Sequence, residues 1–97
     1  MKALQEIKQI ISAHKQQLAY DYHVSKIGIF GSYATGLSSE NSDIDILVEF
    51  EKPVGFVKFI RLENYLSDLI GVKVDLVTKK ALKPHMGQHI LRELQSV

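Results

Sequence analysis

The sequence contains no cysteine, no tryptophan, only two prolines and no long apolar run. Without a thiol, disulfide scaffolds, thiolate zinc centres and cysteine nucleophiles are excluded. Neither sign of charge dominates: 12 Lys and Arg stand against 11 Asp and Glu, for a formal net charge of +1. That balance argues against a dedicated polyanion binder with its basic stripe, and against an acidic tail or a disordered chain. The tyrosines Tyr20, Tyr22, Tyr33 and Tyr65 form no stacking series, so no direct nucleic-acid contact is expected. The opening run Met1-Lys2-Ala3-Leu4-Gln5-Glu6-Ile7-Lys8-Gln9 is broken by charge every few residues, unlike a signal peptide or a membrane span. A cytoplasmic protein with no membrane partner is therefore expected. No repeat, low-complexity stretch or Pro/Gly-rich linker divides the chain, and residues 1–97 read as one domain.

Of the 97 residues, 45% are apolar, enough for one core but leaving little surface for a second substrate-binding unit. Leu4, Ile7, Ile11 and Leu18 recur at helical spacing and predict an amphipathic helix over residues 2–21. Residues 24–30, with Ile27 and Ile29 alternating, predict a strand that Gly31 ends. Ser32 to Gly36 reads as a turn or short helix, and Asp43 to Phe50 as a second strand. Phe56 to Ile70 is helical, with Phe56, Phe59 or Ile60, Glu63 and Leu66 at helical spacing, closed by Gly71 and followed by apolar Val72. Lys73 to Val77 predicts a third strand, and Pro84 to Leu94 a last helix. The expected fold class is α/β (α+β), a small mixed sheet with helices packed against it.

Three acids stand inside the strand patterns. Asp43 and Asp45 are two residues apart and leave the same face of the second strand, while Ile44 and Ile46 leave the other. Asp75 lies between Val74 and Leu76 in the third. If these strands pair, three carboxylates face one side, and without a cation they repel one another and raise at least one pKa. Such an oxygen-rich set suits magnesium, which binds through carboxylates and substrate phosphates, and a pair of such ions clamps an in-line phosphoryl displacement. Just after the first strand comes Gly31-Ser32, where a glycine admits close backbone approach and a helix N-terminus favours a phosphate.

Other motifs fail on their chemistry. Gly31 to Ser38 lacks the P-loop lysine, which Leu37 replaces. The DxD run is followed by Ile46 and Leu47 and has no EF-hand glycine. His85 and His89 are four apart, but Met86 stands where a zincin carries glutamate. His14 and His23 are isolated. Lys73, Lys79, Lys80 and Lys83 form a modest basic cluster, either a solvated end or a phosphate or docking contact. The Leu4, Ile7, Ile11 and Leu18 face is expected to pack on the sheet.

Gly31-Ser32, ten intervening residues and Asp43-Ile44-Asp45 resemble the signature of the DNA polymerase β-like nucleotidyltransferases. The fuller run Gly-Ser-Tyr-Ala-Thr-Gly, then Ser-Asp-Ile-Asp-Ile-Leu-Val, is similar to the minimal nucleotidyltransferase branch, as are the Asp75 strand, the chain length and the ending Leu82-Lys83-Pro84 with Ile90-Leu91. One departure is Thr35, where many members carry Arg. The resemblance implies the polymerase β-like fold. It implies that Asp43, Asp45 and Asp75 are catalytic and hold two Mg2+ ions, and that Gly31 and Ser32 bind the nucleotide's β- and γ-phosphates. It implies AMP transfer from ATP to a hydroxyl, a tyrosine's, on a HEPN-family ribonuclease toxin, with the chain acting as antitoxin in a hetero-oligomer. The rival readings are a non-catalytic module that neutralises its partner by binding, and a transferase acting on a small-molecule hydroxyl.

Overall fold

The computed structural model describes residues 2–82 and 84–97; Lys83, counted above in the basic cluster, lies outside them. Helices α1 (Leu4–Ala13) and α2 (Lys15–Tyr22) lead into strand β1 (Val24–Phe30). A one-turn helix α3 (Ser32–Thr35) precedes β2 (Ile44–Phe50), and helix α4 (Phe56–Ile70) carries the chain to β3 (Val74–Thr78). A 3-10 turn (Lys79–Ala81), helix α5 (Pro84–Glu93) and a two-residue strand β4 (Gln95–Ser96) complete it. The strands form one sheet in the order β3-β2-β1-β4. β1 runs antiparallel to β2 and β4, and β2 parallel to β3, so the sheet is mixed as expected.

The helix expected over residues 2–21 is two helices, parted at His14. The His14 ring Nδ1 bonds the Ile10 carbonyl at 2.8 Å, the acceptor a continuing helix would give to the His14 amide. That amide turns to Ile11 O at 3.0 Å instead. The apolar stripe survives the break, because Ile7, Ile11 and Leu18 are all buried. At the end of α2, His23 adopts a left-handed φ of 60° and closes the helix on Ala19 O. The second strand starts at Ile44 rather than Asp43, the third is shifted by one residue, and β4 has no counterpart in the expected elements.

The core lies on one face of the sheet. Ile44, Ile46 and Val48 of β2 stand beside Ile29 and Ile27 of β1, with Ile46 opposite Ile29 and Val48 opposite Ile27. Helices α1, α2 and α4 cover them with Ile7, Ile11, Leu18, Leu62, Leu66 and Ile70. Each such side chain taken from water contributes about 1.5–3 kcal/mol. On α4 the buried stripe is Leu62, Leu66 and Ile70; the expected position Phe56 is 77% exposed, and Glu63 serves another purpose. β3 is an edge strand, and two of its amides are met by α4 side chains. Val74 N–H donates to Ser67 Oγ at 3.0 Å and Leu76 N–H to Glu63 Oε2 at 2.9 Å.

The opposite face carries Phe30, Asp45 and Asp75 in one row and Gly28, Leu47 and Val77 in the next. The C-terminal segment lies over part of this face. A Cβ added at Gly28 would sit 2.7 Å from Leu94 Cδ1, so only glycine lets that segment lie so close. Among the described residues, no helix is long and apolar enough to cross a membrane.

Candidate active site

The three acids stand where β2 and β3 begin. Parallel pairing sets Asp45 directly opposite Asp75, with strands about 4.8 Å apart. Ile44 N–H donates to Lys73 O at 2.9 Å, which fixes that register at the strand ends. Asp43 stands one residue ahead of β2. The preceding loop braces itself: Ser39 N–H donates to Ser42 Oγ at 2.9 Å and Ser42 N–H to Ser39 O at 3.0 Å. The Asp43 carboxylate leans toward Lys73 Nζ at 3.8 Å, an exposed pair of small energetic weight. Among the described residues, no three carboxylate or imidazole groups are drawn closely enough to hold a metal ion between them. The backbone gathers the three acids at one end of the sheet, and their side chains stay apart.

Gly31 touches this acid end directly. Its φ is +74°, a region that L side chains rarely adopt. A Cβ added there would lie 2.2 Å from Asp45 Oδ2. The glycine is required twice, by the turn and by the carboxylate pressed against it. Helix α3 starts at the next residue, so the Ser32 and Tyr33 amides head a helix where no earlier turn supplies an acceptor. Ala34 and Thr35 N–H already bond Gly31 O, at 3.0 and 3.1 Å. Thr35 Oγ1 also donates to Gly31 O at 3.3 Å and sits close to Ser32 O at 3.4 Å. The residue that replaces arginine thus braces the Gly31 turn.

Asp45 binds its proton more tightly than an ordinary aspartate. Burial is the largest cause, followed by the negative charges of Asp75, Asp43 and Glu93. Glu93 carries no signal in the sequence pattern. It closes α5, where only the His85/His89 spacing stands out, and it pairs with His89 Nε2 at 3.4 Å. No motif announces it; its place depends on how α5 crosses the sheet. His85 is exposed. Lys79 and Lys80 do not join Lys73 near the acids. They line a groove of about 840 Å3 at the other end of β2 and β3, with Phe50, Val54, Phe56 and Phe59. None of the three acids lines that groove.

The arrangement is a glycine turn and helix start on one strand end, touching a carboxylate that faces a second carboxylate across a parallel pair. It suits chemistry in which phosphate charge is positioned and neutralised. Residues 4–97 match the nucleotidyltransferase domain family. The chain belongs to that family and is an enzyme of the nucleotidyltransferase class.

Its relatives narrow the class. It is 48% identical over 94 residues to the protein adenylyltransferase MntA of Thermococcus cleftensis, covering 97% of this chain and 95% of the relative. A Methanocaldococcus jannaschii protein, named as a candidate protein adenylyltransferase, is 52% identical over 95 residues, 97% of each chain. A solved structure of a candidate minimal nucleotidyltransferase superposes with a TM-score of 0.84 at 31% identity, covering 99% of this chain and 97% of that one. The polymerase β-like fold expected from the motif is thereby borne out.

Proposed function

We propose that this chain is a protein adenylyltransferase that moves AMP from ATP to a tyrosine hydroxyl of a HEPN-family toxin and so acts as its antitoxin. The observation that carries the reading is the Gly31–Asp45 contact, which joins the phosphate cradle to the acids in a chain 48% identical to MntA. An MNT antitoxin, solved in complex with the tri-AMPylated HEPN toxin of Shewanella oneidensis, shares the fold at a TM-score of 0.67 and 20% identity. The reaction belongs in the cytoplasm, where ATP is.

Asp43, Asp45 and Asp75 would hold two magnesium ions. The donor chemistry fits, because all three offer carboxylate oxygen, and burial together with the charges of Asp75 and Asp43 already raises the Asp45 pKa. When bound, magnesium supplies charge neutralisation on the phosphates and acidifies the acceptor hydroxyl. The chain's own groups do the rest. The α3 N-terminus and Ser32 Oγ bind the β- and γ-phosphates, and Gly31 keeps them close to Asp45. Asp45 and Asp75, fixed by strand register, align the α-phosphorus with the incoming oxygen. A bond forms from that oxygen to the α-phosphorus, the bond to the β-phosphate oxygen breaks, pyrophosphate leaves and the hydroxyl proton passes to water. Positioning and electrostatics carry such a transfer.

The test is intact mass of the cognate HEPN protein after incubation with this chain, ATP and magnesium. One or more added adenylates, lost with Asp43→Asn, is the expected result. An unchanged mass with all four ribonucleotides, despite a stable complex, would replace this reading with neutralisation by binding alone.

A further inference from the structure

β3 has a strand neighbour on one side only, and Asp75 is its second residue. An edge strand so short offers outward amides to water and frays from its ends. Here the two outward amides that flank Asp75 are both taken by α4. Ser67 Oγ accepts from Val74 N–H at 3.0 Å, and Glu63 Oε2 accepts from Leu76 N–H at 2.9 Å. Ser67 in turn donates to Glu63 O at 2.9 Å, so its hydroxyl is held by the helix that presents it. The spacing matches. Four helical residues rise about 6.0 Å and two strand residues about 6.6 Å, so one turn of α4 spans the two amides on either side of Asp75. Both bonds are partly buried, where a carboxylate acceptor is worth more than in water.

We infer that Glu63 and Ser67 are positioning residues of the transferase. They clamp the backbone on both sides of Asp75 and hold its carboxylate opposite Asp45. The inference rests on the role given to Asp75 above. Glu63 stands in the helix with the spacing of a core residue, yet its carboxylate caps the sheet edge beside the acid end. Nothing in the Gly-Ser or Asp-x-Asp motifs points to it.

The test compares Glu63→Ala, Glu63→Gln, Ser67→Ala and Asp75→Asn in the full chain, at a temperature where circular dichroism shows each folded. Glutamine keeps an acceptor oxygen and serves as the rescue. Glu63→Ala is expected to lower kcat for AMP transfer by about 10- to 100-fold, the scale of a misplaced catalytic group. KM for ATP is expected to stay within about threefold, because the phosphate cradle is on β1 and α3. Mn2+ affinity of the nucleotide-free chain is expected to fall about tenfold, as when the support of a metal ligand is removed. Hydrogen exchange at the Leu76 amide should quicken, and Glu63→Gln should restore all three readings. Inactive Asp75→Asn beside fully active Glu63→Ala and Ser67→Ala would overturn the clamp and leave the function standing. Active Asp75→Asn would overturn the role of Asp75 and the clamp with it. Equal loss in Glu63→Ala and Glu63→Gln would show the acceptor bond to be irrelevant and also overturn it.

Discussion

Gly31→Ala is the most informative single change, because two separate penalties meet at one methyl group. With φ +74° and ψ −153° the backbone sits in a region almost reserved for glycine, which costs an alanine about 1–3 kcal/mol. The added Cβ would lie 2.2 Å from Asp45 Oδ2 and 3.1 Å from its Cγ, whereas ordinary contact begins at 3.4 Å. The carboxylate oxygen must therefore retreat by about 1.2 Å, the gap between 3.4 and 2.2 Å. The oxygen ends a rotatable side chain, but Asp45 Cγ at 3.1 Å and Cβ at 3.3 Å must also give, which adds about 1 kcal/mol, the low end for overpacking. The combined loss of about 2–4 kcal/mol lowers Tm by at least about 8 °C in a domain this small. If Asp45 has the catalytic role proposed for it, a displacement of that size costs about 100-fold in kcat. Thermal unfolding by circular dichroism and transfer from labelled ATP measure the two effects. The same substitution in an Asp45→Ala background separates them. There only the Cβ of residue 45, at 3.3 Å, remains, so the stability cost should shrink toward the backbone share alone. Transfer within about threefold of the parent chain, or an undiminished stability cost in the Asp45→Ala background, would refute the assigned contact.

Two further outcomes follow from the geometry. Asp45→Asn should raise the Tm of the chain in EDTA at neutral pH while abolishing transfer. Asp45 has a raised folded-state pKa, so its ionised form opposes folding; the advantage is full at neutral pH and fades as acid protonates it. A lower Tm than the parent at pH 7 would contradict the sign. Gly28→Ala should lower stability by about 1–3 kcal/mol through overpacking on Leu94. Leu94→Ala should recover part of that cost in a urea titration; additive losses would place the C-terminal segment elsewhere.

The elements were legible where periodicity and punctuation agreed. Phe56–Ile70 ends at Gly71, whose φ is +81°, and Val24–Phe30 ends at Gly31. His14 was not legible, because the break depends on a ring nitrogen competing for one carbonyl. Nor was β4, two residues held by register against Gly28 and Ile29. At the acid end, Gly31, Asp43, Asp45 and Asp75 were readable from spacing, and parallel pairing does bring the last two face to face. Glu93 and Glu63 were hidden, since helix spacing says nothing about which strand a side chain will reach. The basic cluster was misleading for the opposite reason. Lys73 and Lys79 are close in sequence, but an extended strand separates them by about 20 Å.

The sealed edge of β3 has a consequence for the molecule in a crowded cell. An open β-strand edge invites the same edge of another copy, and sheet added to sheet grows without limit. Two amides on one border of this sheet are taken by the Ser67 and Glu63 side chains, and the other border carries a strand only two residues long. The apolar strand Ile44–Phe50 lies inside both borders, out of reach of a second chain. The side chains that clamp β3 beside Asp75 therefore also withhold two of its edge amides from a second copy.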